Sequence, residues 1–422
     1  MLALIQSFPN GADPDPAPRP ERAMTASAQQ SATAERLHAL DAVRGFALLL
    51  GIFYHAALSF LPFAPQFWMV ADNHPSTVLS VFMFASHSFR MTTFFLIAGF
   101  FARLSLHRLG ITSFVRDRGR RIALPLVVGW LAVTLAFGLI GAVAAILANH
   151  GRQPPLHEPP AVAAKLSLTH LWFLYVLIEF YAITLLLRAA VAAIDRAGRI
   201  GAGVDHLVGF VVCSPLGPIL LALPVSAALL GDSSWTDWPN IRTPDHLVTT
   251  AQAWIVYGLA FGFGFALHRQ SRLIWRLQSY WLLYLAVAIA SIVACLLLGA
   301  VATNGLEAGL LRSARAMCYA VASWTATLGV VGAALRFLSS FSKTRRYIAD
   351  ASYWLYIVHL PIIVALQIAV ARLGWPWPAK YATIMAITLV LGFVSYQYLV
   401  RYRLIGTILN GPRTPPAHPA PP

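Results

Sequence analysis

The stretch LDAVRGFALLLGIFYHAALSF, Leu40 to Phe60, constrains this chain more than any other. It is apolar over roughly the 20 residues that a helix needs to cross a bilayer, yet it carries Asp41, Arg44 and His55. Charged groups in hydrocarbon are costly enough that they usually mark function. Arg44 and His55 are eleven residues apart, so at about 100° per residue they fall within roughly 20° of one helix face. At about 1.5 Å per residue they are separated by roughly 16 Å, about half the hydrocarbon thickness. With Arg44 near one water interface, His55 lies near the middle of the membrane.

The rest of the chain repeats the apolar pattern. It has 422 residues, 58% hydrophobic and 11% charged, whereas an ordinary soluble domain is about one quarter charged. Long unbroken apolar runs exclude a transmembrane barrel, which shows short alternating segments. The expected fold is all-α, a polytopic transmembrane bundle of about ten spanning helices near 40–61, 78–102, 122–148, 170–188, 207–230, 251–268, 280–300, 316–335, 353–371 and 380–400. Of the 31 Lys and Arg, 22 fall in alternate loops on one side and seven on the other, with Arg44 and Arg90 inside the spans. Such an asymmetry places both termini in the cytoplasm. It also accounts for the net charge of +15 without nucleic acid as a partner.

Residues 1–35, rich in Pro, Ala, Ser and Gln and without a signal-peptide core, read as a disordered cytoplasmic tail. Residues 36–403 form the membrane domain, and 404–422 read as a Pro-rich cytoplasmic tail. Cys213, Cys295 and Cys318 lie in apolar segments without metal-ligand spacing and read as buried packing residues, so no metal site is expected.

Several polar residues fall at depth. Asp41 is three residues before Arg44, close enough to hold its guanidinium. In SHSFRMTTFFLIAGFF, His87 and Arg90 share one helix side at mid-membrane depth, as a clamp on a neighbouring backbone or as a site for an anionic or polar substrate group. Glu179 lies deep in the fourth span, as a counter-charge for Arg90 or as a partner that orients a histidine. His359, in ASYWLYIVHLPII, is placed to reach the same interior. In the run RDRGRRIALP, Arg116, Arg118, Arg120 and Arg121 precede the third span, either fixing topology or binding phosphate through bidentate bonds.

Taken together, LDAVRG with Arg44, ten intervening residues and His55, then RMTTFFLIAGFF, then Arg118 and Arg121 as RxxR, then SYWLYIVH, resemble the integral-membrane acyltransferase family 3. The HSFRM and HLWFL strings are most similar to its periplasmic glucan succinyltransferase branch. This resemblance implies a bacterial inner-membrane enzyme with no permanently bound cofactor. It would move an acyl group, succinyl or acetyl, from acyl-CoA to a hydroxyl of a cell-envelope glucan, polysaccharide or glycolipid. Arg118 and Arg121, helped by Arg120, would hold CoA phosphates, and Arg44, fixed by Asp41, would guide the donor inward. His55 would be the general base, which suits an imidazole titrating near neutrality. Arg90 and His87 would steady the acyl group or the developing oxyanion. The same buried His and Arg residues would equally serve a proton-coupled transporter or flippase, although no repeat between the two halves supports one.

Overall fold

A computed structural model describes residues 20–149, 167–233, 235, 241–244, 246–301 and 306–411. Twelve α-helices make up the described chain: α1 (Pro20–Ala57), α2 (Thr77–Arg118), α3 (Leu124–Asn149), α4 (Trp172–Ile194), α5 (Arg199–Cys213), α6 (Gly217–Gly231), α7 (Ala251–Leu267), α8 (Leu277–Gly299), α9 (Leu306–Phe337), α10 (Lys343–Val370), α11 (Trp377–Ser395) and α12 (Leu404–Asn410). No strand occurs among the described residues. Eight helical stretches are long and apolar enough to cross a membrane, or nine counting the broken pair α5 and α6. One of the eight, Thr77–Leu147, runs for 71 residues and contains both α2 and α3. At 1.5 Å per residue that is about 107 Å, enough for more than one crossing. All ten expected segments therefore fall on helix.

The details differ from expectation in three places. The span expected at 207–230 is broken, because α5 and α6 meet at 111°. Pro215 and Pro218 bracket the break, and the tyrosine hydroxyls of α8 cap the exposed carbonyls, Tyr280 to Cys213 O at 3.1 Å and Tyr284 to Ser214 O at 3.1 Å. The tail expected from residue 404 begins as helix α12, whose Leu409 is buried and whose Asn410 donates to Asp350 O at 2.9 Å. At the other terminus α1 starts at Pro20, inside the expected tail; residues 1–19 and 412–422 lie outside the described residues.

Packing follows the small residues. Without a hydrophobic drive between helices in lipid, close approach depends on residues that let backbones touch. Gly99 on α2 and Gly264 on α7 do this reciprocally: a Cβ at Gly99 would sit 1.9 Å from Phe261 O, and one at Gly264 would sit 1.9 Å from Leu96 O. Thr92 and Thr93 add hydroxyl bonds to Ser323 (2.8 Å) and Thr327 (3.0 Å) on α9. On the other side α1, α10 and α11 share an apolar cluster around Ile52, Leu355 and Ile363. The α1–α2 connection is pinned by Lys380, fully buried, whose Nζ donates to Asp72 Oδ1 (2.9 Å), Asn73 Oδ1 (2.6 Å) and Ala371 O (3.0 Å). Between these two packed groups lies a cavity.

Candidate functional site

The cavity has a volume of about 1250 Å³. One wall is a single face of α1 continued by the 3-10 turn Leu58–Phe60, on which His38, Asp41, Arg44, Leu48, Gly51, Tyr54, His55 and Leu58 recur at helical spacing. From His38 to Leu58 this face spans about 30 Å, close to the hydrocarbon thickness. The void therefore runs through the membrane depth. Arg44 and His55 both line it, as their eleven-residue spacing predicts.

His55 is oriented by α10. His359 Nδ1 lies 2.7 Å from Tyr356 O and 3.0 Å from Leu355 O, both of which can only accept, so with one proton per ring that nitrogen carries it. His359 Nε2 is then an acceptor, and His55 Nδ1, 3.0 Å away, donates to it. The lone pair of His55 is left on Nε2. A fixed tautomer is what a general base needs, and here backbone carbonyls set it through a second imidazole.

A third imidazole, His170, holds this pair in place. Its Nε2 donates to Tyr356 O (2.9 Å) and Ile357 O (3.2 Å). Ile357 O is open because Pro361, four residues on, has no N–H to give it. The Tyr356 hydroxyl returns a bond to His170 O at 2.5 Å. Thr169, just before, has φ +50, a left-handed conformation that a β-branched residue rarely adopts. That turn aims His170 at α10. His170 is not among the residues that the sequence singles out; its signal is the proline in HLPII, which exposes a carbonyl in mid-helix.

Arg90 is buried opposite, its Cζ 4.2 Å from the centre of the Tyr54 ring. His87 stacks on that ring at 5.1 Å and approaches Ile241 O at 3.5 Å. Among the described residues, the buried Arg90 Nη1 and His87 Nδ1 find no hydrogen-bond partner. Among the described residues no carboxylate pairs with Arg90. A Cβ at Gly51, one turn before His55, would lie 3.7 Å from Arg90 Nη1. An unspent guanidinium thus faces the cavity about one helical turn from the imidazole, and aromatic stacking is what makes its burial tolerable.

At the arginine-rich end the lining includes Arg44, Arg108, Arg118, Arg121 and Arg346 against Asp41 and Asp350. Asp41 holds Arg44 (3.2 Å) and also Arg346 (2.9 Å), and Arg44 Nη2 reaches Ala349 O at 3.3 Å. Asp117 splits its two oxygens between Arg118 (2.9 Å) and Arg121 (2.8 Å), and Arg118 Nη2 donates to Ser105 Oγ at 3.0 Å. A π-helical turn over Gly119–Ala123 sets their facing.

Two expected members are not at the site. Arg120, on the same turn, is exposed and does not line the cavity. Glu179 lies outside the lining as well, accepting from Thr249 Oγ1 (2.8 Å) and Trp254 Nε1 (3.1 Å) near the start of α7, so it neither balances Arg90 nor orients a histidine. Asp41, Arg44, His55, His87, Arg90, Arg118, Arg121 and His359 are brought together around one void. Tyr54, His170, Tyr356 and Arg346 join them. Among the described residues no group of three His, Cys, Asp or Glu side chains is placed to hold a metal.

The described residues form a multi-pass helical bundle around a polar cavity with an oriented imidazole, and the chain belongs to acyltransferase family 3. The family model, described as an acyltransferase domain, matches residues 37–397. More particularly, the chain is 30% identical over 145 residues to glucans biosynthesis protein C of Escherichia coli O6:K15:H31 (strain 536 / UPEC), and equally so to those of strain SMS-3-5 / SECEC and of O157:H7 (strain EC4115 / EHEC). These matches cover 34% of this chain and 37% of each relative, so the chain spans little more than a third of the length of the curated relatives it matches. No solved structure matches the chain.

Proposed function

We propose that this acyltransferase takes an acyl group from acyl-CoA on the cytoplasmic side of a bacterial inner membrane and transfers it to a hydroxyl of a cell-envelope glucan, polysaccharide or glycolipid. The observation that carries this reading is the single cavity connecting Arg118 and Arg121 to His55 and Arg90. Arginine forks match phosphate geometry bidentately, which suits the phosphates of CoA at the arginine-rich end. From Arg44 to His55 is about 16 Å along α1, a distance suited to an extended pantetheine arm that carries the thioester inward.

At the centre, His55 Nε2 takes the proton from the acceptor hydroxyl as its oxygen attacks the thioester carbonyl. Negative charge moves onto the carbonyl oxygen, where Arg90 supplies a fixed positive group in a water-poor setting. Collapse breaks the C–S bond, and the protonated His55 returns the proton to the CoA thiolate. The ester product and free CoA leave with His55 back in its starting form. A succinyl or an acetyl group fits this chemistry equally.

The donor assignment is tested at the arginine-rich end. Arg121→Ala is expected to raise the KM for acyl-CoA by about tenfold or more, the scale of losing a charge-assisted bidentate contact. Arg120→Ala, outside the cavity, is expected to leave that KM within about twofold, since exposed charges contribute little. Equal effects of the two substitutions on steady-state kinetics would show that the run acts only through its overall charge.

A further inference from the structure

The two ends of the cavity differ in chemistry. Five guanidiniums line one end, whereas the other is bounded by Gln66, Phe67, Trp68, Ser167, Thr169 and Thr243, none of them charged. Phe67 is 46% exposed. Trp68 is fixed by its edge: its Nε1 donates to Gln367 Oε1 at 3.0 Å. Gln367 is 1% exposed, and its Nε2 donates to His55 O (3.1 Å) and Ala56 O (3.3 Å), carbonyls left over where α1 ends. The indole is thereby tied, through one amide, to the backbone of the residue that holds the base. The segment that carries it is tied down twice more, by Asp72 N to Ser59 O (2.8 Å) and by the buried Asp72–Lys380 pair.

A fixed indole and an exposed phenyl ring beside uncharged amide and hydroxyl groups match one class of ligand well. A sugar ring presents an apolar C–H face that stacks on an aromatic ring, while its rim of hydroxyls bonds to amides and hydroxyls. We propose that Phe67 and Trp68, with Gln66 and Thr243, form the acceptor subsite for a neutral carbohydrate ring, held in register with His55 by Gln367. This rests on reading the chain as an acyltransferase to a hydroxyl, and it names which residues select that hydroxyl's carrier. Leu58, three residues after His55, lines the same void, so a ring stacked at this end needs to extend only about 5 Å along α1 to bring a hydroxyl to the imidazole. The rival role for aromatics at such a position is an interfacial belt in contact with lipid headgroups. Trp68 is unsuited to that, because its polar edge points inward to a buried glutamine.

Calorimetric titration of the purified full chain with maltoheptaose, cellohexaose and laminarihexaose, in the absence of acyl-CoA, tests the subsite. At least one of these neutral saccharides is expected to bind, and Phe67→Ala and Trp68→Leu are each expected to weaken it by about tenfold, the scale of one aromatic contact. Phe67 is exposed enough for its alanine variant to fold, so the test stands even if the Trp68 variant does not. The proposal is overturned if none of the three binds, or if binding is equally tight in the folded Phe67 variant. Saccharide binding is read without a donor, so a failure of acyl-CoA turnover would count against the acyl-CoA reading alone.

Discussion

His55→Ala is expected to lower acyl transfer by about 10³-fold, within the range that general bases contribute, and to leave the protein folded. His55 projects into a cavity, so its truncation enlarges an existing void and strands only the acceptor nitrogen of His359. A companion pair isolates the orienting role of His359, which touches no reacting atom. His359→Leu removes the acceptor for His55 Nδ1–H and releases the imidazole to the other tautomer; kcat is expected to fall about tenfold or more with the acyl-CoA KM little moved. His359→Gln restores an acceptor oxygen and is expected to recover a large part of that loss. A merely structural histidine gives no such rescue, and the comparison is read from kcat and KM beside the thermal midpoint in detergent.

The largest effect on stability is expected at the α2–α7 crossing. In Gly99→Ala the new methyl would meet Phe261 O at 1.9 Å, and in Gly264→Ala it would meet Leu96 O at 1.9 Å. Both obstacles are backbone, so neither can rotate away and the two helices must separate. Each substitution is expected to cost about 3 kcal/mol or more, in the upper range for single changes, and to lower the thermal midpoint of the detergent-solubilised protein sharply. Gly262→Ala, two residues away on α7 with nothing within 4 Å of its Cβ, supplies the control. It is expected to be neutral or slightly stabilising, because alanine favours the helix by roughly 0.5–1 kcal/mol. A Gly99 variant as stable as the Gly262 variant would show that the helices do not cross where the structure places them.

Periodicity made much of this legible. Arg44 and His55 share a face because helical geometry is regular, and His87 and Arg90 follow by the same reasoning; all four line the cavity. The Gly in Ala98-Gly99-Phe100 turns out to be the contact point of two backbones. What periodicity gives poorly is the direction a side chain takes relative to helices distant in sequence. Glu179, expected deep in the fourth span, faces Thr249 and Trp254 near the start of α7 instead of the interior. Arg120 was indistinguishable from its neighbours in a run of arginines until a π-helical turn put Arg118 and Arg121 on the cavity and left Arg120 outside. His170 enters through a carbonyl that Pro361 leaves open on a helix nearly two hundred residues later, a long-range pairing with a local cause. Lys380, counted among loop charges, is fully buried against Asp72.

Under the proposed function, one void takes the donor from the arginine-rich end and the acceptor from the other. Proteoliposomes that hold a neutral gluco-oligosaccharide inside, with radiolabelled acetyl-CoA or succinyl-CoA supplied only outside, test it directly. Labelled saccharide recovered from the lumen, absent with His55→Ala, is the expected result. Label on saccharide only when donor and acceptor share one compartment would contradict a cavity that works across the membrane.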